Sequence, residues 1–340
     1  MAGVAGGGNF LSFVLVHEYE AVERAHVSKL AFVPRPFRFG VTARWPRSGA
    51  HWRDVARRAE DLGYDVFLVT DHMGKQLAPI PALMAAADAT TRLRVGSIVF
   101  ANDFRNPVML AKEIATLDVL SEGRIEVGIG AGWSTTDYQQ LGIPYDAPPL
   151  RVSRLEESVR LLKRLLSEES VDHTGKHYTV RAARVLPRPL QRPHPPLMVG
   201  GGGRRVLRLA AREADIVTFS PQFSTSGRPR LDTMTEKALT ERVMGVRAAA
   251  GDRIDRLELN VFVFDAAVTD RPRSLMAAVS AQLRRAANGI VRSPFVLYGS
   301  RSSLRELLIE RRERLGISYI SVPGNAMRDF APIVAELRGT

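Results

Sequence analysis

From Phe37 onward, short apolar and β-branched runs alternate with longer stretches in which apolar residues recur at helical spacing. This alternation is typical of repeated βα units, in which a helix follows each parallel strand. Two of the runs are almost continuously apolar, as expected of parallel strands that are covered on both faces. The predicted strands are FRFGVT at 37–42, VFLVT at 66–70, LRVGSIVF at 93–100, IEVGIG at 125–130, LMVG at 197–200, IVTFS at 216–220, LNVFVF at 259–264 and YISV at 319–322.

Residues that favour helix ends mark several of the intervening helices. Asn106 followed by Pro107 predicts an N-cap and a first-turn proline. Ser303 with Glu306 predicts a capping box for a helix that ends near Gly316. The pattern therefore supports a strand and a helix in regular succession.

Crossovers between parallel strands are right-handed, so eight of them either close into a barrel or extend an unusually wide open sheet. We predict closure, and hence an α/β fold of the (β/α)8 TIM-barrel class over residues 36–340, with 1–35 as an N-terminal extension. Residues 170–196 interrupt the repeat as an insertion after strand four. Residues 221–234 form a polar loop after strand six, either a substrate lid or a plain surface loop.

Composition removes several classes of function. The 340-residue chain has no cysteine, which excludes disulfides, thiolate metal sites and a cysteine nucleophile, and favours a cytoplasmic location. Its net charge of +12 is dispersed, with basic groups such as Arg311, Arg312 and Arg314 beside glutamates, so we expect no nucleic-acid partner. The apolar run Phe10–Val16 is far shorter than the ~20 residues of a membrane span. We therefore expect no membrane partner.

The end of strand two carries the first candidate for chemistry, Asp71 and His72. A histidine at a barrel mouth can give or take a proton near neutral pH, as hydride chemistry at a carbonyl or imine carbon requires. Asp71 either orients that imidazole, binds a ligand hydroxyl or caps the next segment. A structural role for His72 is an open alternative.

Glycines follow strands four and five. In GIGAGW at 128–133, glycines at alternate positions, Gly130 and Gly132 among them, let the backbone approach a flat ring or a phosphate, and Trp133 offers an apolar wall. Gly200, Gly201, Gly202 and Gly203 lead directly into a helix, whose amide groups and dipole favour an anion. We predict phosphate binding there, although a tight turn alone could account for one or two of the glycines. Neither segment has the spacing of a dinucleotide fingerprint or a Walker loop.

Two other kinds of site have less support. His173 and His177 are separated by a turn-like segment, and no carboxylate lies at ligand spacing, so we expect no metal site. A barrel aldolase or isomerase could use the same glycines for a phosphorylated substrate. That chemistry requires a lysine Schiff base or an acid/base carboxylate at a strand end, and neither is evident.

Together these segments resemble the luciferase-like monooxygenase family, and most of all its coenzyme F420-dependent branch. The individual motifs are short, and their order and spacing over about residues 37–220 make the match specific. The matching segments are FGV at 39–41, AxxAExLGY at 56–64, VTDH at 69–72, RLRVGS at 92–97, FRNP at 104–107, AxLDxLSxGR at 115–124, GxGAGW at 128–133, PPLMVGGGG at 195–203 and AxxAD at 211–215.

The resemblance implies a place for each part of a deazaflavin or flavin cofactor. Asp71 and His72 would lie beside the ring, with the histidine on its reactive face. A bulge at Ile98–Val99, often with a non-prolyl cis peptide in this family, would support the back of the ring. The segment 200–203 would receive the cofactor phosphate, assisted by the side chain of Arg204. The implied cofactor is F420, with FMN as the alternative.

The family's sugar-phosphate dehydrogenases carry a glutamate as proton donor where this chain has Trp133, which puts that substrate and that acid in doubt. We predict a less polar pocket formed by Trp133, Tyr138 and Phe219, for a small molecule or a modified peptide. The expected reaction is hydride transfer between the deazaflavin and a C=C, C=N or C–OH group, with His72 moving the proton. The alternatives are a two-component FMN monooxygenase and a non-catalytic flavin-binding relative. A homodimer is expected by analogy with the family.

Overall fold

The computed structural model describes residues 35–44, 46–224, 228–272 and 293–340. The extension expected at residues 1–35 therefore lies outside the described residues, apart from Arg35. The strands, numbered in chain order, are β1 (Arg38–Ala43), β2 (Val66–Val69), β3 (Arg94–Ser97), β4 (Phe100–Ala101), β5 (Ile125–Gly130), β6 (Val171–Thr174), β7 (Thr179–Ala183), β8 (Leu197–Gly201), β9 (Ile216–Phe219), β10 (Glu258–Phe262), β11 (Asp265–Val268), β12 (Val296–Gly299) and β13 (Ile317–Pro323).

Eight parallel strands close into a ring, in the order β1, β2, β3, β5, β8, β9, β10 and β13. The ring is closed because β1 pairs with both β2 and β13, while β3 pairs with both β2 and β5. The register aligns Gly40 with Val66 of β2 and with Ser321 of β13. The predicted TIM barrel is confirmed, and the alternative of a wide open sheet is wrong.

Helices cover the outside of the ring. Asn106 caps its helix as predicted, because its Oδ1 accepts the N–H of Val108 at 2.9 Å. No helix among the described residues is both long and apolar enough to cross a membrane. The helices are α1 (Gly49–Asp61), α2 (Pro79–Asp88), α3 (Pro107–Leu120), α4 (Thr135–Leu141), α5 (Pro148–Ser167), α6 (Arg204–Glu213), α7 (Glu236–Ala250), α8 (Arg301–Leu315) and α9 (Met327–Leu337).

The start of α8 differs from its prediction. Ser300 is the N-cap, and its Oγ accepts the N–H of Ser303 at 3.2 Å. Ser303 lies inside the first turn, where its hydroxyl donates to the carbonyl of Ser300 at 3.0 Å. The capping box assigned to Ser303 and Glu306 is therefore wrong by one helical turn. The end of the helix is as predicted, with Gly316 in the left-handed conformation at φ 75°.

The inside of the barrel is filled at one end and open at the other. At the N-terminal ends of the strands, Arg38 lies between the carboxylates of Glu126 and Glu258 and 4.8 Å from the centre of the Tyr319 ring. Burial raises the pKa of Glu258. These charged groups occupy the interior below a small apolar cluster that includes Met198. The open end is therefore the one formed by the C-terminal ends of the strands.

Three segments depart from the simple repeat. The run predicted as one strand at 93–100 is divided into β3 and β4 at Ile98–Val99. After Phe262 the chain leaves the ring, and β11 pairs in parallel with β12 as a separate two-stranded sheet, which the sequence did not predict. The insertion at 170–196 contains an antiparallel hairpin of β6 and β7.

Candidate active site

The C-terminal ends of the barrel strands enclose a cavity of about 580 Å³. This is the end at which TIM barrels place their active sites, because the βα loops there vary without disturbing the barrel. Residues from the ends of β1, β2, β3, β5, β8, β9 and β10 contribute to it. They include Arg44, Thr70, Asp71, His72, Ile98, Val99, Gly130, Gly132, Trp133, Asp137, Arg151, Gly200, Gly201, Gly202, Gly203, Thr218, Phe223, Phe262 and Phe264.

The carboxylate of Asp137, which lies in α4 after β5, orients the imidazole of His72 after β2. Nδ1 of His72 lies 2.6 Å from Oδ2 of Asp137, and Oδ1 of Asp137 accepts the N–H of Met73 at 3.1 Å. A carboxylate on Nδ1 favours a proton on that atom, which leaves Nε2 of the neutral ring as the acceptor. Among the described residues, no hydrogen bond engages Nε2. It is therefore available to a reacting group in the cavity.

Asp71 does not orient the imidazole. Its Oδ2 accepts from Arg105 at 2.5 Å and from the N–H of Ala101 at 3.0 Å, and its Oδ1 accepts from Arg105 at 3.2 Å. The orienting role suggested for Asp71 belongs to Asp137. Asp71 instead joins the end of β2 to the segment after β4. It lines the cavity, but its carboxylate is already paired with Arg105.

The peptide bond between Ile98 and Val99 is cis, at the position that the resemblance implied. The side chain of Val99 packs against β5 and β8 at positions where each strand has a glycine. A Cβ on Gly130 would lie 2.8 Å from Cγ2 of Val99, and one on Gly200 would lie 3.0 Å from Cγ1. These two glycines therefore make room for Val99, and the three residues form one continuous wall of the cavity.

Helix α6 begins at the cavity without a side-chain cap. Gly203 is its N-cap, no described side chain bonds to its first amides, and no acidic residue lies in its first turn. The first N–H groups of a helix have no partner within the helix, and the helix dipole makes them a site for an anion. Because Gly203 lines the cavity, these donors are exposed to whatever the cavity holds.

The four glycines before α6 serve different purposes. A Cβ on Gly202 would lie 2.5 Å from the carbonyl oxygen of Ser220, and one on Gly201 would lie 2.8 Å from the side chain of Val206. A Cβ on Gly203 would meet nothing within 4 Å. Close packing therefore explains Gly200, Gly201 and Gly202, and the open space beside Gly203 is where a ligand has access.

A second polar group in the cavity has no partner among the described residues. Oγ1 of Thr218 is buried without a hydrogen bond, and Thr218 lines the cavity beside Gly200. A buried hydroxyl without a partner costs free energy, so such groups are usually paired. Together with the start of α6, where no side chain caps the first amides, this hydroxyl fits a phosphorylated ring cofactor.

One match decides the family. A model described as luciferase-like monooxygenase matches residues 35–315 of the chain. The chain belongs to the luciferase-like monooxygenase family. Members of this family are oxidoreductases, and the chain is an enzyme of that class.

Curated relatives within the luciferase-like monooxygenase family use both kinds of cofactor. An F420-dependent glucose-6-phosphate dehydrogenase from Nakamurella multipartita is 31% identical over 71% of this chain and 71% of its own length. An FMNH(2)-dependent dimethylsulfone monooxygenase from Pseudomonas putida is 27% identical over 68% of this chain and 62% of its own length. Among solved structures, the coenzyme F420-dependent tetrahydromethanopterin reductase from Methanopyrus kandleri matches with a TM-score of 0.73 and 16% identity, covering 89% of this chain and 98% of that one. At that identity the structural match shows the shared fold.

Two of the residues predicted to form the substrate pocket of this luciferase-like protein lie elsewhere. Phe219 is buried in the outer core, because side chains alternate along β9 and Thr218 takes the inward direction. Tyr138 is also buried, and its hydroxyl donates to Asp103 at 2.9 Å. Neither residue lines the cavity, so both predictions are corrected. Trp133 does line it and is 37% exposed.

The side chain predicted to assist the phosphate, Arg204, does not line the cavity either. It is exposed at the first position of α6. The neighbouring Arg205 is held by Glu156 on α5, at 2.8 Å for its Nε. Neither arginine side chain is therefore placed to assist an anion at the start of α6, and the donors available there are backbone amides.

Several residues of the cavity were missed at the sequence level. Asp137 stands in the first turn of α4 behind the N-cap Ser134, and an acidic residue in that position of a loop at the barrel mouth was the available signal. Arg44 follows the end of β1, which marks it as a mouth residue in the same way. Phe223 and Phe264 follow β9 and β10 in loops whose positions the periodicity does not determine.

Proposed function

We propose that this protein is an F420-dependent oxidoreductase that transfers a hydride between the deazaflavin and a C=C, C=N or C–OH group of an organic substrate. The observation that carries the proposal is the arrangement across one cavity. The imidazole of His72, with no bond to Nε2 from a described residue, lies after β2. The start of α6, without a side-chain cap, lies after β8, which is the third strand from β2 round the ring. One ligand with a ring and a phosphate can contact both.

Two further observations support F420. Several of the most similar curated relatives are named F420-dependent, including the one from Nakamurella multipartita at 31% identity. The net charge of +12 favours a cofactor with a polyanionic tail, because a strongly basic protein attracts anions over a distance.

Each part of the chain has a distinct task in the proposed reaction. The first amides of α6, after Gly203, would hold the phosphate, and the wall at Val99 would hold the ring. The cofactor supplies or accepts the hydride. His72 gives or takes the accompanying proton at Nε2, while Asp137 holds the ring in the required orientation and tautomer. The aromatic side chains at the mouth exclude water from the reacting carbon.

The second candidate is a two-component monooxygenase that uses reduced FMN, favoured by the similarity to the Pseudomonas putida enzyme. It would use the same phosphate site and the same imidazole. The aldolase or isomerase alternative has less support. Among the described residues that line the cavity there is no lysine, and the carboxylates of Asp71 and Asp137 are both engaged.

Titration of the purified protein with F420 and FMN, each oxidised and reduced, separates the candidates. We expect saturable binding of F420 with an affinity well above that for FMN, and reduction or oxidation of the bound deazaflavin in the presence of a substrate library. His72→Ala should lower turnover by about 100-fold or more with the dissociation constant of F420 unchanged. Tight binding of reduced FMN with oxygen-dependent product formation would favour the second candidate, and undiminished turnover of the variant would remove His72 from the mechanism.

A further inference from the structure

Of the residues that the structure describes, two arginines line the cavity, and they differ in what they contact. Arg151 is fully engaged in holding loops together. Its guanidinium donates to the carbonyls of Asp146, Ala131 and Gly132 and to the hydroxyl of Tyr145. Arg44, by contrast, has no hydrogen bond and no ion pair with any described residue, although it lines the same cavity. One guanidinium in the cavity is thus structural, and the other is free.

The position of Arg44 separates it from the proposed phosphate site. The register pairs Ala43 of β1 with Val69 of β2, so Arg44 follows β1 beside Thr70, next to the segment that carries His72. Strand β8, which leads to the glycines and α6, is the fourth strand from β1 in either direction round the ring. Arg44 therefore follows the strand that lies opposite β8 in the ring, away from the proposed anion site at the start of α6.

The surroundings of Arg44 favour an anion. The side chain is exposed at the mouth, yet enough protein surrounds it that burial lowers the pKa of its guanidinium, and no carboxylate among the described residues offsets this. Asp71 and Asp137, the nearest acids along the cavity wall, are already paired with Arg105 and His72. A positive charge held without a partner in a partly desolvated site attracts an anionic ligand.

An aromatic wall formed by side chains that follow β5, β9 and β10 reaches the imidazole of His72, whose segment lies next to Arg44. The rings of Trp133 and Phe223 stack at 4.4 Å with an interplanar angle of 19°, and Phe223 contacts the edge of Phe264 at 6.0 Å between ring centres. Trp133 also meets the imidazole of His72 edge to face at 5.3 Å. The wall therefore extends from the reacting histidine past the mouth, and planar groups pack well against such surfaces.

We propose that Arg44 binds a carboxylate or another anionic group of a planar, unsaturated substrate whose body lies against Trp133 and Phe223. The proposal names the substrate class of the site and rests on the proposed function for the statement that this cavity is where the substrate reacts. The guanidinium fixes one end of the substrate, and the aromatic wall fixes its plane beside Nε2 of His72. This end-on recognition selects anionic substrates over neutral ones of the same shape.

Binding of two probes of equal shape tests this directly. Isothermal titration measures the affinity of trans-cinnamate and of trans-cinnamamide for the full chain, with and without bound F420. A charge-assisted hydrogen bond predicts that cinnamate binds about tenfold or more tightly than the amide. Arg44→Met should abolish this preference, and Arg44→Lys should retain part of it. Arg208→Met, which removes one charge from the exposed face of α6 outside the cavity, is the matched control and should leave the preference intact.

A further variant separates the two halves of the site. Phe223→Leu should weaken both probes by a similar factor and keep their ratio, because it alters the wall and leaves Arg44 in place. The proposal is overturned if cinnamate fails to bind, if the two probes bind equally, or if Arg44→Met leaves their ratio unchanged. Weaker F420 binding in Arg44→Met with an unchanged ratio would assign the guanidinium to the cofactor instead. A protein that binds only FMN yet prefers cinnamate would contradict the proposed function and leave this inference standing.

Discussion

Nδ1 of His72 lies 2.6 Å from Oδ2 of Asp137, and this contact joins two loops that are 65 residues apart in sequence. The other oxygen of the same carboxylate accepts the N–H of Met73 at 3.1 Å. One acidic side chain on α4 therefore fixes both the ring and the backbone of the loop after β2. The imidazole is oriented before any ligand enters, which is the arrangement that proton transfer requires.

Asp137→Asn is expected to lower turnover by roughly tenfold or more while the affinity for the cofactor stays the same. An amide is similar in size but neutral, and it can present its NH₂ to Nδ1 and so favour the wrong tautomer of His72. Steady-state kinetics and cofactor titration measure the two quantities separately. Asp54→Asn, an exposed carboxylate paired with Arg57 on α1, is the control and should behave like the wild type. Equal turnover in both variants would mean that the contact with Asp137 has no role in the reaction.

The sequence could identify His72 but could not identify the carboxylate that orients it. A histidine at the end of a predicted strand is placed at the mouth by the barrel topology alone, so its location follows from periodicity. Which of several acidic residues reaches it depends on the path of the loop after β5, and no periodic pattern describes that path. Asp71, the immediate neighbour in sequence, was the natural candidate, and Arg105 holds it instead.

Gly202 and Gly203 provide a matched pair of substitutions at the proposed phosphate site. A Cβ at Gly202 would lie 2.5 Å from the carbonyl oxygen of Ser220 and 2.8 Å from backbone atoms of Pro221, and backbone cannot move away as a flexible side chain can. Gly202→Ala should therefore destabilise the fold by about 1–3 kcal/mol and weaken cofactor binding. At Gly203 a Cβ meets nothing within 4 Å, so Gly203→Ala should cost less than about 1 kcal/mol, the loss of a favourable N-cap residue. Chemical denaturation measures both, and equal losses would show that close packing is not the reason for Gly202.

The fold was more predictable than the site because strands and helices leave periodic signals. All eight barrel strands follow from apolar runs, and the handedness of the crossovers reduced the choice to a closed barrel or a wide open sheet. The separate pairing of β11 with β12 could not be predicted, because a strand pair outside the barrel depends on contacts between distant segments. Tyr138 and Phe219 were misplaced for a related reason. Both were predicted to line the substrate pocket and both are buried, because the direction of each side chain depends on the exact start of its strand or helix.

Glu60 gives a prediction with a defined pH dependence. Its carboxylate accepts the N–H groups of Thr91, Arg92 and Leu93, at 3.1, 2.6 and 2.8 Å, and so ties α1 to the start of β3. Burial alone would raise the pKa of Glu60, but these donors outweigh it and lower the pKa below the ordinary 4.5. A lowered pKa in the folded state means that the stabilisation is present above the unfolded value and is lost as the pH falls through the folded value.

Glu60→Gln should accordingly lower the free energy of unfolding by about 1 kcal/mol at neutral pH, a modest value because solvent reaches the carboxylate. The difference from the wild type should shrink as the pH falls below 4.5. Urea denaturation at a series of pH values measures it. Glu306→Gln, an exposed residue on α8, controls for the loss of one surface charge and should show no comparable pH-dependent difference. A constant difference at all pH values would mean that the charge of Glu60 is not what stabilises the loop.

Two buried tyrosines with opposite hydrogen-bonding states give the last prediction. The hydroxyl of Tyr319, inside the barrel next to Gly40, is buried and has no partner in the part of the chain that the structure describes. The hydroxyl of Tyr64 donates to the carbonyl of Met327 at 2.9 Å. Burial raises the pKa of both phenols, so each remains a neutral hydroxyl.

Tyr64→Phe removes a hydrogen bond and leaves a carbonyl without its donor, which should cost about 1 kcal/mol or more. Tyr319→Phe removes only an unsatisfied group and keeps the ring face that Arg38 contacts, so it should leave stability unchanged or raise it by about 1–2 kcal/mol. Denaturation of both variants side by side measures the contrast, and a loss of stability in Tyr319→Phe as large as that in Tyr64→Phe would mean that the barrel interior does satisfy this hydroxyl.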